Sequence, residues 1–349
     1  MIKIIKIIKG KVYWGSLIDF SEDSDFYHTY EYHYLSKKDN ETPVLIEYTE
    51  GDKTIVLPLL IRNIEGTEYF DATSVYGYSG PTTSNIKDNF DNSLFRKELQ
   101  LLFLENNIVS VFSRLNPFVH DQENILKGLG EITTLGKIVC IDLTKDLDQQ
   151  KAAYHRRLRT YINKARKQCS VRLAKSSGEI EEFIAMYYEN MKRVNAHESY
   201  FFNKEYFFEL LNTKAFKTDV LLAIHNDSQE IIGGAMFIKK NKIVQYHLAG
   251  TKEEFLGLDP IKLVIDEMRI RASHENYKYL NLGGGVGTKE DSLFYFKSGF
   301  SKDHKTFKVW KYIVNEEVYE DLVMKKHRKD FAIVNKSCDQ YFPCYRCII

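Results

Sequence analysis

Apolar residues recur along this chain with two periods, and the alternation between them marks out the elements. Runs rich in β-branched, aliphatic and aromatic residues at 43–48 and 54–61 flank the turn Glu50-Gly51-Asp52 and predict a hairpin. Pro58 is expected to kink or bulge its second strand. Helical spacing predicts a helix over 26–35, with Asp25 as its cap, and another over 94–105. Positions 108–112 and 137–143 read as strands. Tyr76-Gly77-Tyr78-Ser79-Gly80-Pro81 reads as a loop, punctuated by glycine and proline. The opening residues, with Lys3, Lys6 and Lys9 between isoleucines, read as a first strand.

The second half repeats this order. Helices are expected over 179–194 and 204–211, then strands over 220–224, 231–239 and 243–250, with Asn226-Asp227-Ser228 and Lys240-Asn241-Lys242 as turns. Asp259-Pro260 reads as a cap followed by proline at the first helical position, opening a helix over 261–273. Strands at 277–282 and 306–314 and a helix over 316–326 follow. Residues 44–61 answer to 220–238, and 94–112 to 261–282, so two copies of one α/β unit account for the pattern. Between them Tyr154, Leu158, Ile162 and Ala165 share one helical face, and basic residues fill the rest, as if a basic amphipathic helix joined the halves. The expected division is 1–150, 151–330 and a tail over 331–349.

Length supports the same count, because 349 residues exceed one ordinary core. With 44% hydrophobic residues and a formal net charge of +1, composition excludes disorder and a uniformly basic nucleic-acid coat. Any anion site must then be local. No apolar run has the length of a signal peptide core or a membrane span. The five cysteines are odd in number and scattered, which does not suit a disulfide framework and points to a reducing cytoplasm. Cys338, Cys344 and Cys347 lack a well-placed fourth ligand, so no metal is expected.

One or two helices, three antiparallel strands, a helix and a further strand, twice over, resemble the running order of the GNAT acyltransferase fold. Tyr246-His247-Leu248-Ala249-Gly250-Thr251, Asp266-Glu267-Met268, Leu280-Asn281-Leu282-Gly283-Gly284 and Phe296-Lys297-Ser298-Gly299-Phe300 resemble the second domain of the FemABX family. The resemblance spans 43–322, with Phe-Lys-x-Gly-Phe its most specific part. It implies an α/β (α+β) fold of two tandem GNAT-like domains, each a mixed, mainly antiparallel sheet flanked by helices. It also implies transfer of an amino acid from aminoacyl-tRNA to the amine of a peptidoglycan precursor. Two departures bear on this. Nothing between 194 and 220 supplies the coiled-coil arm of larger members, so this is a compact one. Asn281-Leu282-Gly283-Gly284-Gly285 replaces the family's tryptophan- or arginine-bearing strand end, which leaves open a surface polysaccharide as the acceptor.

Acyl transfer to an amine needs a held carbonyl and a donor group where the oxyanion develops. By family position Lys297 supplies that donor, and among Phe294, Phe296 and Phe300 it would be partly desolvated. The bland alternative is a surface lysine snorkelling over its neighbours. Phe296 and Tyr246 would shape the acceptor site, Tyr246 being otherwise a core tyrosine. Arg193 resembles a family position that meets precursor phosphates, although arginine late in a helix is also favoured by the helix dipole. Tyr76 and Tyr78 resemble a family loop lining the cleft, or pack a turn. Gly284, in a glycine run that follows a strand, would let backbone approach a phosphate or a sugar, or simply turn. Arg156, Arg159, Arg166 and Lys167 form a candidate tRNA or phosphate patch, or a solvated face. His247 is expected to be structural.

The expected protein is therefore a cytoplasmic acyltransferase without a bound cofactor, acting on a small-molecule or lipid-linked envelope precursor, with aminoacyl-tRNA as co-substrate. Ala249-Gly250-Thr251-Lys252-Glu253 stands where a GNAT protein usually carries its glutamine- or arginine-led acyl-CoA motif. One alternative is still an acyl-CoA-dependent N-acyltransferase acting on a nucleotide-linked amino sugar. Another is a non-catalytic binding module on the duplicated scaffold.

Overall fold

The structure, a computed structural model, describes residues 4–21, 23–87, 89–329 and 341–347. The chain divides into two compact units, Met1–Leu135 with Phe307–Ile349, and Gly136–Thr306. The first unit opens with β1 (Ile5–Ile8), α1 (Lys11–Asp19), α2 (Tyr30–Ser36), β2 (Glu41–Glu50), β3 (Lys53–Asn63), β4 (Phe70–Thr73), β5 (Thr82–Ser84), α3 (Ser93–Glu105), β6 (Ile108–Arg114) and α4 (Gln122–Leu126). Strand β7 (Glu131–Asp142) leads into the second. There follow α5 (Leu147–Ala152), α6 (Arg156–Gln168), β8 (Cys169–Leu173), α7 (Ser177–Arg193), α8 (Lys204–Asn212), β9 (Lys217–His225), β10 (Ile231–Lys240), β11 (Ile243–Thr251), α9 (Pro260–His274), β12 (Tyr279–Gly283) and α10 (Ser292–Ser298). The last elements are β13 (His304–Ile313) and α11 (Glu316–Lys329).

Strand order in the first unit is β1-β2-β3-β4-β6-β13, with β5 on β3. The first four are antiparallel neighbours, β6 lies parallel to β4, and β13 lies antiparallel to β6. In the second unit β8-β9-β10-β11-β12-β7 repeats those directions strand for strand. The duplication read from the pattern is thus a duplication of topology. In each unit the parallel neighbour is reached across a helix, α3 or α9, because parallel strands cannot be joined by a hairpin.

Period-two alternation sends successive side chains to opposite faces. Val44, Ile46 and Tyr48 share a core with Phe95, Leu99 and Phe103 of α3, whereas Leu45 and Val56 pack with Trp14 and Ile18 of α1. In the second unit Leu221, Ala223, Ala235, Phe237 and Val244 join Leu158, Ile162 and Ala165 of α6 and Leu263, Val264 and Met268 of α9. Phe183 and Tyr187 of α7 meet Phe207 of α8, with ring centroids 6.3 and 5.6 Å apart. Fully burying a leucine or isoleucine stabilises by about 1.5–3 kcal/mol, enough for the buried face of α6 to hold a helix whose other faces are charged.

Several local expectations change. The β2–β3 register runs through Leu45↔Pro58 without a shift, so Pro58 makes no bulge. It falls between the stretches of β3 paired with β5 and with β4, where a missing donor breaks no ladder. Asp25 caps a 3₁₀ turn, Phe26–His28, and Thr29 caps α2. Asp259 stands before Pro260 but sits at φ +56° with no side-chain cap, its carboxylate ion-paired with Lys262. Helix α6 lies wholly within the second unit rather than joining two. Strand β13 pairs with β6, and Trp310 and Tyr312 lie in the first unit's core, so that unit, not the second, takes 307 onward. Of the expected tail, 341–347 is described, and Tyr345 donates to Asp71 at 3.2 Å and bonds Ser110 at 2.8 Å. Cys344 is disulfide-bonded, while Cys140 and Cys169 are buried free thiols; Cys338 lies outside the described residues.

Candidate active site

In the second unit β11 and β12 are parallel partners over only three pairs, Ile243↔Tyr279, Val244↔Leu280 and Gln245↔Asn281. Beyond Gln245 and Asn281 the two strands part. Each carries an irregularity just there: the β10–β11 register skips His247, and the β7–β12 register skips Leu282. Bulges of this kind bend a strand and end its pairing. At the branch point Asn281 Nδ2 donates to Gln245 Oε1 at 2.7 Å, both side chains being buried, and Asn281 Oδ1 accepts the Gly283 N–H at 2.9 Å. The fork is thus tied at its base and opens at the carboxyl ends of its strands, the end where α/β sheets hold ligands.

Lys297 stands at that end. It is 7% exposed, on α10, and its Nζ donates to the carbonyl of Gly284, directly after β12, at 2.6 Å. Desolvation lowers its pKa to about 8, opposed in part by the charge of Asp291. An ammonium has three donors, and among the described residues only one of these is used. The snorkelling alternative is overturned by this burial. Gly284 presents a carbonyl to the lysine, and a side chain there would sit 3.0 Å from the Lys137 carbonyl.

Phe296 and Phe300 meet edge to face at 5.7 Å, and the Lys262 ammonium stands 6.0 Å from the Phe296 ring. Tyr246, the first residue of β11 past the last pair, lies 5.7 Å from Phe237 and is half-buried. Its hydroxyl makes no hydrogen bond among the described residues, and burial raises its pKa, so it stays a neutral donor. His247, pushed out at the bulge, bonds Tyr206 of α8 through Nε2 at 2.8 Å; burial lowers its pKa to about 4 and keeps it uncharged at neutral pH. Arg193 ends α7 and donates through Nη2 to Asn190, whose amide reaches the Ala249 carbonyl of β11 at 3.5 Å. Its Nη1 is buried without a hydrogen-bond partner among the described residues, a donor left unsatisfied. The close seating of α7 on β11 depends on Gly250, where a Cβ would come within 2.6 Å of the Met186 and Tyr187 backbone.

Residues 152–298 match the family model described as acetyltransferase (GNAT) domain. No curated protein matches the chain by sequence. Among solved structures, FemX superposes with a TM-score of 0.66 over 90% of this chain and 99% of its own, at 13% identity. A conserved protein of unknown function from Bacteroides thetaiotaomicron gives 0.59 over 88% and 99%, at 14% identity. The fold is FemX-like. The match to the acetyltransferase (GNAT) domain lies within its second unit and ends at Ser298, one residue past Lys297.

The predicted patch of this FemX-like chain is divided by its contacts. Arg166 is committed to Asp266 at 2.8 Å, with Glu267 at 3.9 Å. Arg156 and Arg159 instead line an open hollow of about 500 Å³ with His155, Arg157 and Lys302, and none of these makes an ion pair among the described residues. Lys167 is exposed on the same helix. In the first unit Tyr78 packs between Tyr27 and Phe307, at 5.7 and 5.1 Å. Tyr76 is 61% exposed, with the Arg114 guanidinium 5.7 Å from its ring. Sequence reasoning missed the Gln245–Asn281 tie, the His247–Tyr206 pair, Arg157 and Lys302. Only an asparagine and a glutamine inside otherwise apolar strands could have flagged the tie. No cluster of metal-ligating side chains occurs among the described residues, and no described helix is long and apolar enough to cross a membrane.

Proposed function

We propose that this protein forms an amide by transferring an aminoacyl group from aminoacyl-tRNA to an amino group of a cell-envelope precursor, a peptidoglycan or surface-polysaccharide unit. The observation that carries this reading is Lys297: a buried ammonium with two donors unused among the described residues, where β11 and β12 part. The neutral amine attacks the ester carbonyl, whose oxygen becomes an anion. Donors fixed in a water-poor site stabilise that charge more than water does. Collapse of the adduct re-forms the carbonyl and expels the ribose oxygen, which takes up the proton lost by the attacking nitrogen, and leaves the amide and a free ribose hydroxyl. Phe296 and the Tyr246 hydroxyl shape the acceptor side, and Arg193 Nη1 meets an acceptor phosphate. The cations of α6 draw the RNA backbone, since lysines and arginines without carboxylate partners release counterions on meeting phosphates.

A GNAT fold ordinarily points to acyl-CoA as co-substrate, and the acetyltransferase-domain match favours this as the second reading. The residues where its motif would stand fit a pyrophosphate poorly. Helix α9 starts with Pro260, which has no N–H, behind the Asp259 carboxylate, and Glu253 and Glu254 precede it. The purified chain should therefore be stabilised by charged tRNA and convert a muramyl-peptide or amino-sugar nucleotide to its aminoacyl amide. Stabilisation by acetyl-CoA with charged tRNA inert would replace this reading by the N-acyltransferase.

A further inference from the structure

The loop between β12 and α10 is folded around a single carboxylate. Asp291 Oδ1 accepts the Phe294 N–H at 2.9 Å, capping α10, and Oδ2 accepts the Val286 N–H, also at 2.9 Å. The two bonds tie the start of the helix that carries Lys297 to the strand side of the loop, next to Gly285 and Gly284. Gly285 leaves room for this clasp: a Cβ there would lie 2.3 Å from Asp291 Oδ1 and 2.1 Å from the Lys289 carbonyl. Both ends of the Lys297–Gly284 bond are thus fixed by one side chain, five or more residues away from either in sequence, that need not touch substrate.

We infer that Asp291 is a positioning residue for acyl transfer, holding the Gly284 carbonyl and Lys297 in register so that the two unused donors of the ammonium face the reacting oxygen. The inference rests on the acyl-transfer reading of Lys297 but is testable apart from it. A cap alone would not need aspartate, because serine caps as well; only a carboxylate can accept from both N–H groups and leave a negative charge near the ammonium. That charge opposes the desolvation of Lys297. Of the other ionisable groups about α10, Glu290 pairs with Lys137 at 3.2 Å, His304 stacks on Phe294 at 5.7 Å and Lys262 lies beyond Phe296, while Lys289 and Tyr295 are exposed.

The test uses the full chain with ¹³C-labelled lysine, the Lys297 signal assigned by its loss in Lys297→Arg, and the variants Asp291→Ser and Asp291→Asn. Both variants are expected to fold, with the Lys297 midpoint moved to lower pH than in the parent. In the transfer assay kcat should fall at least tenfold with KM for the amine within about twofold, the mark of an interaction lost mainly in the transition state. An unmoved Lys297 midpoint, or parental kcat in Asp291→Ser, overturns the inference and leaves Asp291 a helix cap. A moved midpoint in a protein whose Lys297→Met variant still transfers at the parental rate would uphold the coupling of Asp291 to Lys297 and sink the acyl-transfer reading instead.

Discussion

A lysine 7% exposed is an expense the fold bears, since its ammonium has exchanged water for one carbonyl. Replacing it with methionine removes that cost, so Lys297→Met should melt no lower than the parent while losing turnover. Removal of a single oxyanion donor elsewhere costs about 10²–10³ in kcat, and that is the loss expected here, read by steady-state kinetics beside a thermal melt. The pH dependence has a definite sign. With a folded pKa of about 8 against 10.5 for a free lysine, the ammonium persists at neutral pH and is lost above 8. As an oxyanion donor it must be charged, so kcat should fall through pH 8; a rise there would make it a base. For stability the unfolded chain holds this proton up to pH 10.5 and the folded chain releases it from 8. The lysine's contribution to stability therefore rises between those values, a rise absent from Lys297→Met. Tyr246→Phe keeps the ring and removes only a hydroxyl that makes no hydrogen bond among the described residues, so KM for the acceptor should rise several-fold at unchanged melting temperature.

At the scale of elements, periodicity reveals which segments are strands and helices, but not where a strand departs from its neighbour. The order β9–β10–β11–α9–β12 was legible, because runs of apolar residues and the Asp259-Pro260 break announce themselves. The fork was not. It arises from single extra residues at His247 and Leu282, which alter pairing without altering hydropathy. Asp259 shows the same limit: its place before the helix was read correctly, whereas its bond to Lys262 in place of a backbone N–H depends on a left-handed φ that asparagine and aspartate tolerate. Gly250 carries a consequence on this scale. Gly250→Ala would drive a methyl into the α7 backbone, and because neither partner is a flexible side chain the helix must shift. Overpacking costs about 1–3 kcal/mol, so the variant should melt several degrees lower and should lose the placement of Arg193 along with it. Equal melting temperatures would show that α7 is less closely held on β11 than the contacts indicate.

Over the whole molecule, 49 basic residues nearly balance 48 acidic ones, so net charge gives a polyanion no reason to bind. Local composition does. Helix α6 holds Arg156, Arg157, Arg159, Lys164, Arg166 and Lys167 with no acid, and the contacts sort them into two kinds. Arg166 answers the buried carboxylate of Asp266, which also takes the Tyr154 hydroxyl at 2.9 Å and Arg269; its loss should lower the melting temperature by leaving that acid short of charge. Arg156 and Arg159 have no such partner among the described residues, so Arg156→Ala and Arg159→Ala should leave the melt unchanged. If charged tRNA is the donor, each should weaken its binding and shrink the slope of log K against log salt by about one. Sequence alone could not divide these residues, because an arginine facing Asp266 and one facing solvent occupy the same helix at the same charge. The division also makes the experiment discriminating. Were the helix merely a solvated face, all of these substitutions except Arg166→Ala would be silent in both measurements. Were acyl-CoA the donor, a salt slope measured on tRNA would be weak in the parent and insensitive to both substitutions.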